Sequence, residues 1–206
     1  MFEIQNYYSF IVAILLFQLI PGAGTIAILN ATARNGIKAG LGAVMGTLLG
    51  DFAFMIAALA GLAAIMQQNP FLFELLQYFG AAYLVWLGIG LLRAKIKPNT
   101  GKAEPKKSAL VYFKQAFFVS ITNPKVMLFF VAFFPLFLRP NATNMTLVAM
   151  ILHVSLISLI YQALLVLLGN SLARKLKAFP LARTIATRLA GVALVGFGIK
   201  LASSNR

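Results

Sequence analysis

Six long stretches with almost no ionisable side chains constrain the fold of this chain more than any other feature. Each stretch is 18 to 28 residues long, and a helix needs about 20 apolar residues to cross the hydrocarbon core of a bilayer. The stretches are continuously apolar and do not alternate with period two, which excludes transmembrane β-strands. We therefore predict an all-α polytopic membrane protein with six transmembrane helices. The six segments, in chain order, are Tyr8–Leu29, Leu41–Gln68, Phe71–Leu92, Gln115–Leu138, Met145–Leu168 and Ile185–Ala202.

The charge of the chain indicates an orientation in the membrane. The chain is 61% hydrophobic and 11% charged, yet it carries a net charge of +14 from 18 Lys and Arg against 4 Asp and Glu. Fourteen of those 18 cations lie in the alternate connections that follow segments one, three and five, if Arg188 at the start of segment six is counted with the last of them. Basic connections of polytopic proteins stay in the cytoplasm, so both termini are predicted to face outward. The alternative is that the basic loops bind nucleic acid or anionic lipid. We expect no nucleic-acid partner, although contact with lipid headgroups is compatible with this topology.

A basic connection with Pro98, Gly101 and Pro105 divides the chain into two groups of three segments. The predicted units are a first three-helix repeat (1–94), a cytoplasmic linker (95–114) and a second three-helix repeat (115–206). Because three is odd, two homologous halves would have opposite orientations, as in many secondary transporters. A weak internal similarity supports two inverted repeats. Phe10, Ala13 and Pro21 recur at one offset as Phe113, Ala116 and Pro124.

Three ionisable residues lie deep within apolar segments. Asp51 follows Gly40 by 11 residues, which places it about 16 Å into a core about 30 Å thick. Lys125 lies equally far into a segment of the same predicted direction, and His153 also falls near the middle. Charges at that depth are costly and usually line an ion or substrate pathway. We predict that Asp51 and His153 couple transport to protons. The alternatives are a structural Asp51–Lys125 salt bridge and a histidine that only packs between helices.

Two segments are interrupted at the depth of these charges. The first segment contains Pro21-Gly22-Ala23-Gly24, and the fourth contains Asn123-Pro124-Lys125. Proline removes a helical hydrogen bond, and glycine permits unusual dihedral angles. Interrupted helices in corresponding positions of two halves indicate a transporter's binding site, although simple proline kinks are the alternative. The predicted substrate-binding residues are Pro21, Gly22, Gly24, Asp51, Asn123, Pro124 and Lys125.

A stripe of small residues in the second segment predicts close helix packing. Gly42, Gly46 and Gly50 recur every four residues, and such spacing lets a neighbouring backbone approach closely. We interpret the stripe as packing within one chain, with a homodimer as the alternative. The chain has no Cys and a single His, so neither a metal site nor a cofactor is expected.

Together these motifs resemble those of the lysine exporter/threonine efflux (LysE/RhtB-type) superfamily of bacterial amino-acid exporters. The helix-one Pro-Gly-Pro signature of that family stands here as Pro21-Gly22-Ala23, and Ala23 makes this break softer. Its glycine pattern and Gly-Asp pair correspond to Gly36, Gly40, Gly50 and Asp51, and its Asn-Pro-Lys to Asn123-Pro124-Lys125. The C-terminal stretch Gly191–Ser204 is most similar to the leucine-exporting branch. The resemblance implies amino-acid export across the bacterial inner membrane, driven by proton antiport. In that membrane, the orientation predicted from the cations makes both termini periplasmic.

The acids present favour substrates with neutral side chains, similar to leucine, threonine or homoserine. Asp51 would bind the α-ammonium of such a substrate, and no second deep acid remains for a basic side chain. The alternatives are export of basic amino acids or of another small solute or cation, a channel, or a membrane assembly factor that transports nothing. An enzyme is not expected, because an intramembrane aspartyl protease needs two deep carboxylates and Ser155, two residues from His153, faces elsewhere on its helix.

Overall fold

The computed structural model describes residues 4–19, 22–93, 108–139, 142–178 and 180–204. These residues form helices and the short segments between them, which confirms the all-α prediction for this part of the chain. The elements are α1 (Tyr7–Leu19), α2 (Ala23–Gln68), α3 (Pro70–Arg93), α4 (Ala109–Ile121), α5 (Pro124–Phe133), a 3₁₀ helix (Phe134–Phe137), α6 (Asn144–Ala178) and α7 (Pro180–Ser204).

Three of these helices are long and apolar enough to cross a membrane by themselves. Their apolar spans are Ala23–Leu62, Phe71–Gly90 and Asn144–Leu168. A fourth span arises if α4 and the segment Lys125–Phe137 cross together, with a bend of 57° between them. Large side chains such as Trp86 and Leu152 are exposed on these helices, as expected of surfaces that face lipid. Six spans in two inverted repeats remain a prediction.

Helix α2 is divided by a single residue. Gly36 has φ +77° and ψ −169° inside an otherwise helical run of 46 residues, and glycine adopts a positive φ without steric cost. The predicted loop around Arg34 and Lys38 is therefore only this one-residue break. The last basic connection is also shorter than expected, because α6 continues to Ala178 and α7 begins at Pro180.

The helices pack around two apolar clusters: a smaller one where α2 contacts α4 and α6, and a larger one that includes residues of the contacting helices α3 and α7. Fully buried phenylalanines belong to the larger cluster, among them Phe10, Phe129 and Phe133. Gln77 Nε2 donates to the Pro135 carbonyl over 2.8 Å and ties α3 to the 3₁₀ helix. Most of the predicted linker lies outside the described residues, and its last residues, 109–114, belong to α4.

Candidate functional site

A cavity lies where the α1–α2 break meets the α4–α5 break. It is a small, partly open cavity, with about 50 Å³ accessible to water-sized molecules. Both helix breaks, the middle of α2 and one residue of α6 contribute to its wall. The lining residues are Phe17, Gln18, Gly22, Gly24, Thr25, Thr47, Asp51, Ser120, Asn123, Lys125, Val126 and Gln162.

At the α4–α5 break, the residue before α5 caps the N-terminus of that helix. Asn123 is the N-cap of α5, and its side chain accepts a hydrogen bond of 3.1 Å from the Lys125 backbone N–H. The Asn123 carbonyl also accepts from the N–H groups of Val126 and Met127. The first N–H groups of a helix have no i→i−4 partner inside the helix, and here Asn123 supplies one for those of Lys125 and Val126. The α5 N-terminus is therefore already capped by protein.

The first break differs because glycine stands at the capping position. Gly22 is the N-cap of α2 in an extended conformation, and no side chain in the described ranges caps this helix. Gly24 packs against the part of α2 that follows the Gly36 break, where an added Cβ would approach Thr47 Cγ2 to 3.1 Å. The α2 N-terminus thus presents backbone donors and a partial positive charge at the cavity.

The carboxylate of the site is held by a hydroxyl from the neighbouring helix. The Ser120 hydroxyl on α4 donates a hydrogen bond to Asp51 Oδ1 on α2. The preceding residue, Gly50, permits this contact, since a Cβ there would lie 2.7 Å from Ser120 Cβ. Asp51 is therefore oriented by α4 at the wall of the cavity.

The cation of the site lies beside an aromatic ring. Lys125 Nζ is 5.6 Å from the centre of the Phe17 ring, a distance at which a cation and an aromatic face attract. Phe17 in turn stacks on Phe129 with ring centres 3.5 Å apart. The backbone carbonyl of Lys125 accepts from the Tyr83 hydroxyl over 3.1 Å. Among the described residues no ion pair joins Lys125 to Asp51, so the cavity wall carries two separate charges of opposite sign.

The structure brings most of the predicted substrate-binding residues to this one cavity. Gly22, Gly24, Asp51, Asn123 and Lys125 all line it. Helix α5 begins at Pro124, whereas Pro21 lies outside the described residues.

The second predicted proton-coupling residue, His153, is not part of the cavity wall. His153 Nδ1 is 2.7 Å from the Ala149 carbonyl, one turn earlier in α6. Its ring packs edge-on against Tyr7 with centres 5.5 Å apart. These contacts place His153 between α1 and α6. Within the described ranges, no three His, Cys, Asp or Glu residues come together as metal ligands.

The glycine stripe of α2 faces α4 along its length. A Cβ at Gly42 would lie 2.6 Å from the Ala109 carbonyl oxygen, and one at Gly46 would overlap the Phe113 carbonyl. With Gly50 against Ser120, the three positions hold the α4 backbone directly on α2. The packing surface lies between helices of one chain.

Several lining residues could not be identified from the sequence. Phe17, Gln18, Thr47, Ser120 and Gln162 are neutral, and a neutral residue in an apolar segment carries no signal of depth or direction. Thr47 had the one usable clue, because it precedes Asp51 by four residues and so shares its helix face. Gln162 could be found only by knowing which face of α6 meets α2.

Known proteins match this chain over nearly its whole length. The family described as "LysE type translocator" matches residues 15–205. The chain is 36% identical to a leucine efflux protein of Enterobacter sp. (strain 638) over 208 residues, covering 98% of this chain and 97% of the relative. It is 33% identical to a leucine efflux protein of Klebsiella pneumoniae, with the same coverage. An uncharacterized membrane protein of Pseudomonas aeruginosa is 32% identical over 209 residues. No solved structure matches the chain.

Proposed function

The chain belongs to the LysE type translocator family, and on that premise we propose that it exports amino acids with uncharged side chains across the bacterial inner membrane. The membership confirms the resemblance drawn from the motifs, and a translocator is a transport protein rather than an enzyme. The proposal rests above all on one observation: the cavity at two helix breaks carries Asp51 and Lys125 on its wall. A zwitterionic amino acid offers the complementary pair of charges.

The substrate carboxylate binds between Lys125 and the start of α2. The Lys125 ammonium supplies the charge, and the uncapped α2 N-terminus supplies backbone donors at Gly22 and Gly24. The start of α5 is the weaker candidate for this group, because Asn123 already occupies its donors. A helix N-terminus together with a cation is a favourable environment for an anion.

The substrate ammonium binds Asp51. Ser120 holds the carboxylate in place through Oδ1, which leaves Oδ2 for the ligand. Asp51 is the only acid among the residues that line the cavity, so a basic side chain would find no second carboxylate. Phe17 and Val126 provide an apolar surface instead. The side chains that fit this wall are uncharged and apolar, similar to leucine.

Exchange at Asp51 provides the coupling. A proton that enters from outside neutralises the carboxylate and removes the charge that holds the ammonium, so the amino acid is released outward. The carboxylate then loses its proton to the cytoplasm and binds the next substrate. The broken helices beside the cavity are the elements that can change their angle during this cycle, as in transporters that work by alternating access.

Neutralising Asp51 tests this proposal. In proteoliposomes, we expect Asp51→Asn to abolish leucine transport driven by a pH gradient, because asparagine neither binds a proton nor attracts an ammonium. Glu74→Gln is the matched control, since it neutralises an exposed carboxylate of α3 outside the cavity and should transport like wild type. Undiminished pH-driven transport by Asp51→Asn would contradict the coupling role.

His153→Gln separates the two proton-coupling candidates. We propose that Asp51 carries the proton and that His153 packs against α1. The variant should therefore retain pH-driven leucine transport within about twofold of wild type, measured in the same vesicles. A loss of the pH response with intact leucine exchange would instead place His153 in the proton pathway.

A further inference from the structure

The wall of the cavity contains two buried oxygen atoms without a protein partner. Thr47 Oγ1 and Gln162 Oε1 take part in no hydrogen bond with any other described residue, although both residues are only 5% exposed. Neighbouring polar side chains are paired: Ser120 with Asp51, Ser158 with Gln18, and Thr32 with the Ile28 carbonyl. Burying a polar group without a partner destabilises a protein. These two positions are therefore suited to a ligand that supplies the missing hydrogen bonds.

Their arrangement around Asp51 indicates which group that ligand presents. Thr47 and Asp51 are one turn apart on α2 and share a helix face, while Gln162 reaches the same cavity from α6, which packs on α2. The three side chains bring one charged and two neutral oxygen acceptors to the wall. A primary ammonium has three N–H donors and no acceptor.

We propose that Thr47 and Gln162 complete, with Asp51, a three-point site for the α-ammonium of the substrate. This inference rests on the proposed amino-acid export and adds the residues that distinguish a primary amine from its analogues. Each N–H donates to one oxygen: to the Asp51 carboxylate, to Thr47 Oγ1 and to Gln162 Oε1. A secondary amine leaves one acceptor unpaired, and a 2-hydroxy acid leaves two unpaired and does not neutralise Asp51.

Binding of leucine, N-methylleucine and the 2-hydroxy analogue of leucine to the full-length protein in nanodiscs tests this site. Wild type should prefer leucine to both analogues. Thr47→Val and Gln162→Met keep the side-chain size and remove the oxygens. Each should weaken leucine binding about tenfold or more, the usual effect of losing a hydrogen bond to a charged group, while N-methylleucine binding falls less. The measured ratio between leucine and N-methylleucine should therefore drop in both variants.

Two further variants keep the test independent of folding. Thr47→Ser retains the hydroxyl and should retain the wild-type ratio. Ser155→Ala removes another buried, unpartnered hydroxyl of α6 that does not line the cavity, and it should leave the ratio unchanged. A general loss of packing would lower binding of all three ligands alike.

The outcomes separate the two proposals. If wild type binds leucine and the ratio is the same in Thr47→Val and Gln162→Met, the three-point site is wrong and amino-acid binding stands. If wild type binds neither leucine nor another neutral amino acid, the proposed function itself fails. Sodium-dependent leucine binding that disappears in both variants would overturn the ammonium assignment, because these oxygens would then be ligands of an alkali cation.

Discussion

At the scale of single residues, the contact between Gly50 and Ser120 determines how Asp51 is presented. Position 50 packs directly on Ser120, with no room for a methyl group, and the same serine donates to the Asp51 carboxylate. Any side chain at position 50 would push α4 away and move the donor with it. Gly50 therefore affects the site indirectly, because it allows Ser120 to lie close enough to hydrogen-bond with Asp51.

We expect Gly50→Ala to reduce leucine transport at least tenfold and to destabilise the protein by about 1–3 kcal/mol, the usual cost of overpacking. Gly61→Ala is the matched control on the same helix, because an added Cβ there meets nothing within 4 Å. Transport in proteoliposomes and thermal unfolding in detergent measure both effects. Equal transport by the two variants would show that the Gly50–Ser120 contact is irrelevant to the site.

The charged residues of the site are predictable from the sequence, whereas its neutral residues are not. Asp51 and Lys125 stand out because an ionised group in an apolar segment is costly, and their equal depth predicts that they share a region. Thr47 and Gln162 are neutral and are tolerated in any helix, so only the packing of α2 on α6 shows that they line the cavity. The Asp51–Ser120 bond likewise depends on helix register, which spacing alone does not define.

At the scale of helices, two asparagines whose side chains cap helix N-termini lie in different surroundings. Asn123 accepts from the Lys125 N–H at the start of α5 over 3.1 Å, beside the cavity. Asn69 accepts from the Leu72 N–H at the start of α3 over 3.0 Å, on an exposed turn. The same interaction thus stabilises a helix that positions Lys125 and one that is distant from the site.

We expect both Asn123→Ala and Asn69→Ala to lose about 1 kcal/mol of stability, as for other N-caps. Only Asn123→Ala should lose leucine transport, by about tenfold or more, because the freed Lys125 N–H then competes for the substrate carboxylate and Lys125 shifts. Asn123→Asp keeps the cap and should recover part of the activity. Parallel unfolding and transport assays compare the pair, and a similar transport loss in both variants would mean that the caps act through stability alone.

At the scale of the whole molecule, the apolar segments predict the helical class and most helix positions. They do not predict how helices join. Gly36 breaks α2 at a single residue, and α6 ends at Ala178 while α7 begins at Pro180, where the basic residues indicated longer loops. The composition of a segment shows how hydrophobic it is. It does not show where a single residue, such as Gly36 with its positive φ, is enough to separate two helices.

Cysteine labelling tests the predicted orientation. The chain contains no cysteine, so single substitutions can be read without background. Ser108→Cys, within the predicted basic linker, should react with an impermeant maleimide only in inverted vesicles. Asn69→Cys, in the uncharged turn between α2 and α3, should react in intact cells stripped of the outer membrane. The reverse pattern would place the basic connections outside and refute the orientation drawn from the cations.

The presence of one carboxylate and one ammonium on the cavity wall has a consequence for the energetics of transport. A zwitterion bound between Asp51 and Lys125 has no net charge, so its passage moves none through the membrane field. Under proton antiport, the returning proton is then the sole charge transferred, and the export cycle is electrogenic. A potential of 100 mV supplies about 2.3 kcal/mol per proton, equivalent to roughly a fiftyfold concentration ratio. Voltage alone would therefore sustain export when the pH is equal on both sides.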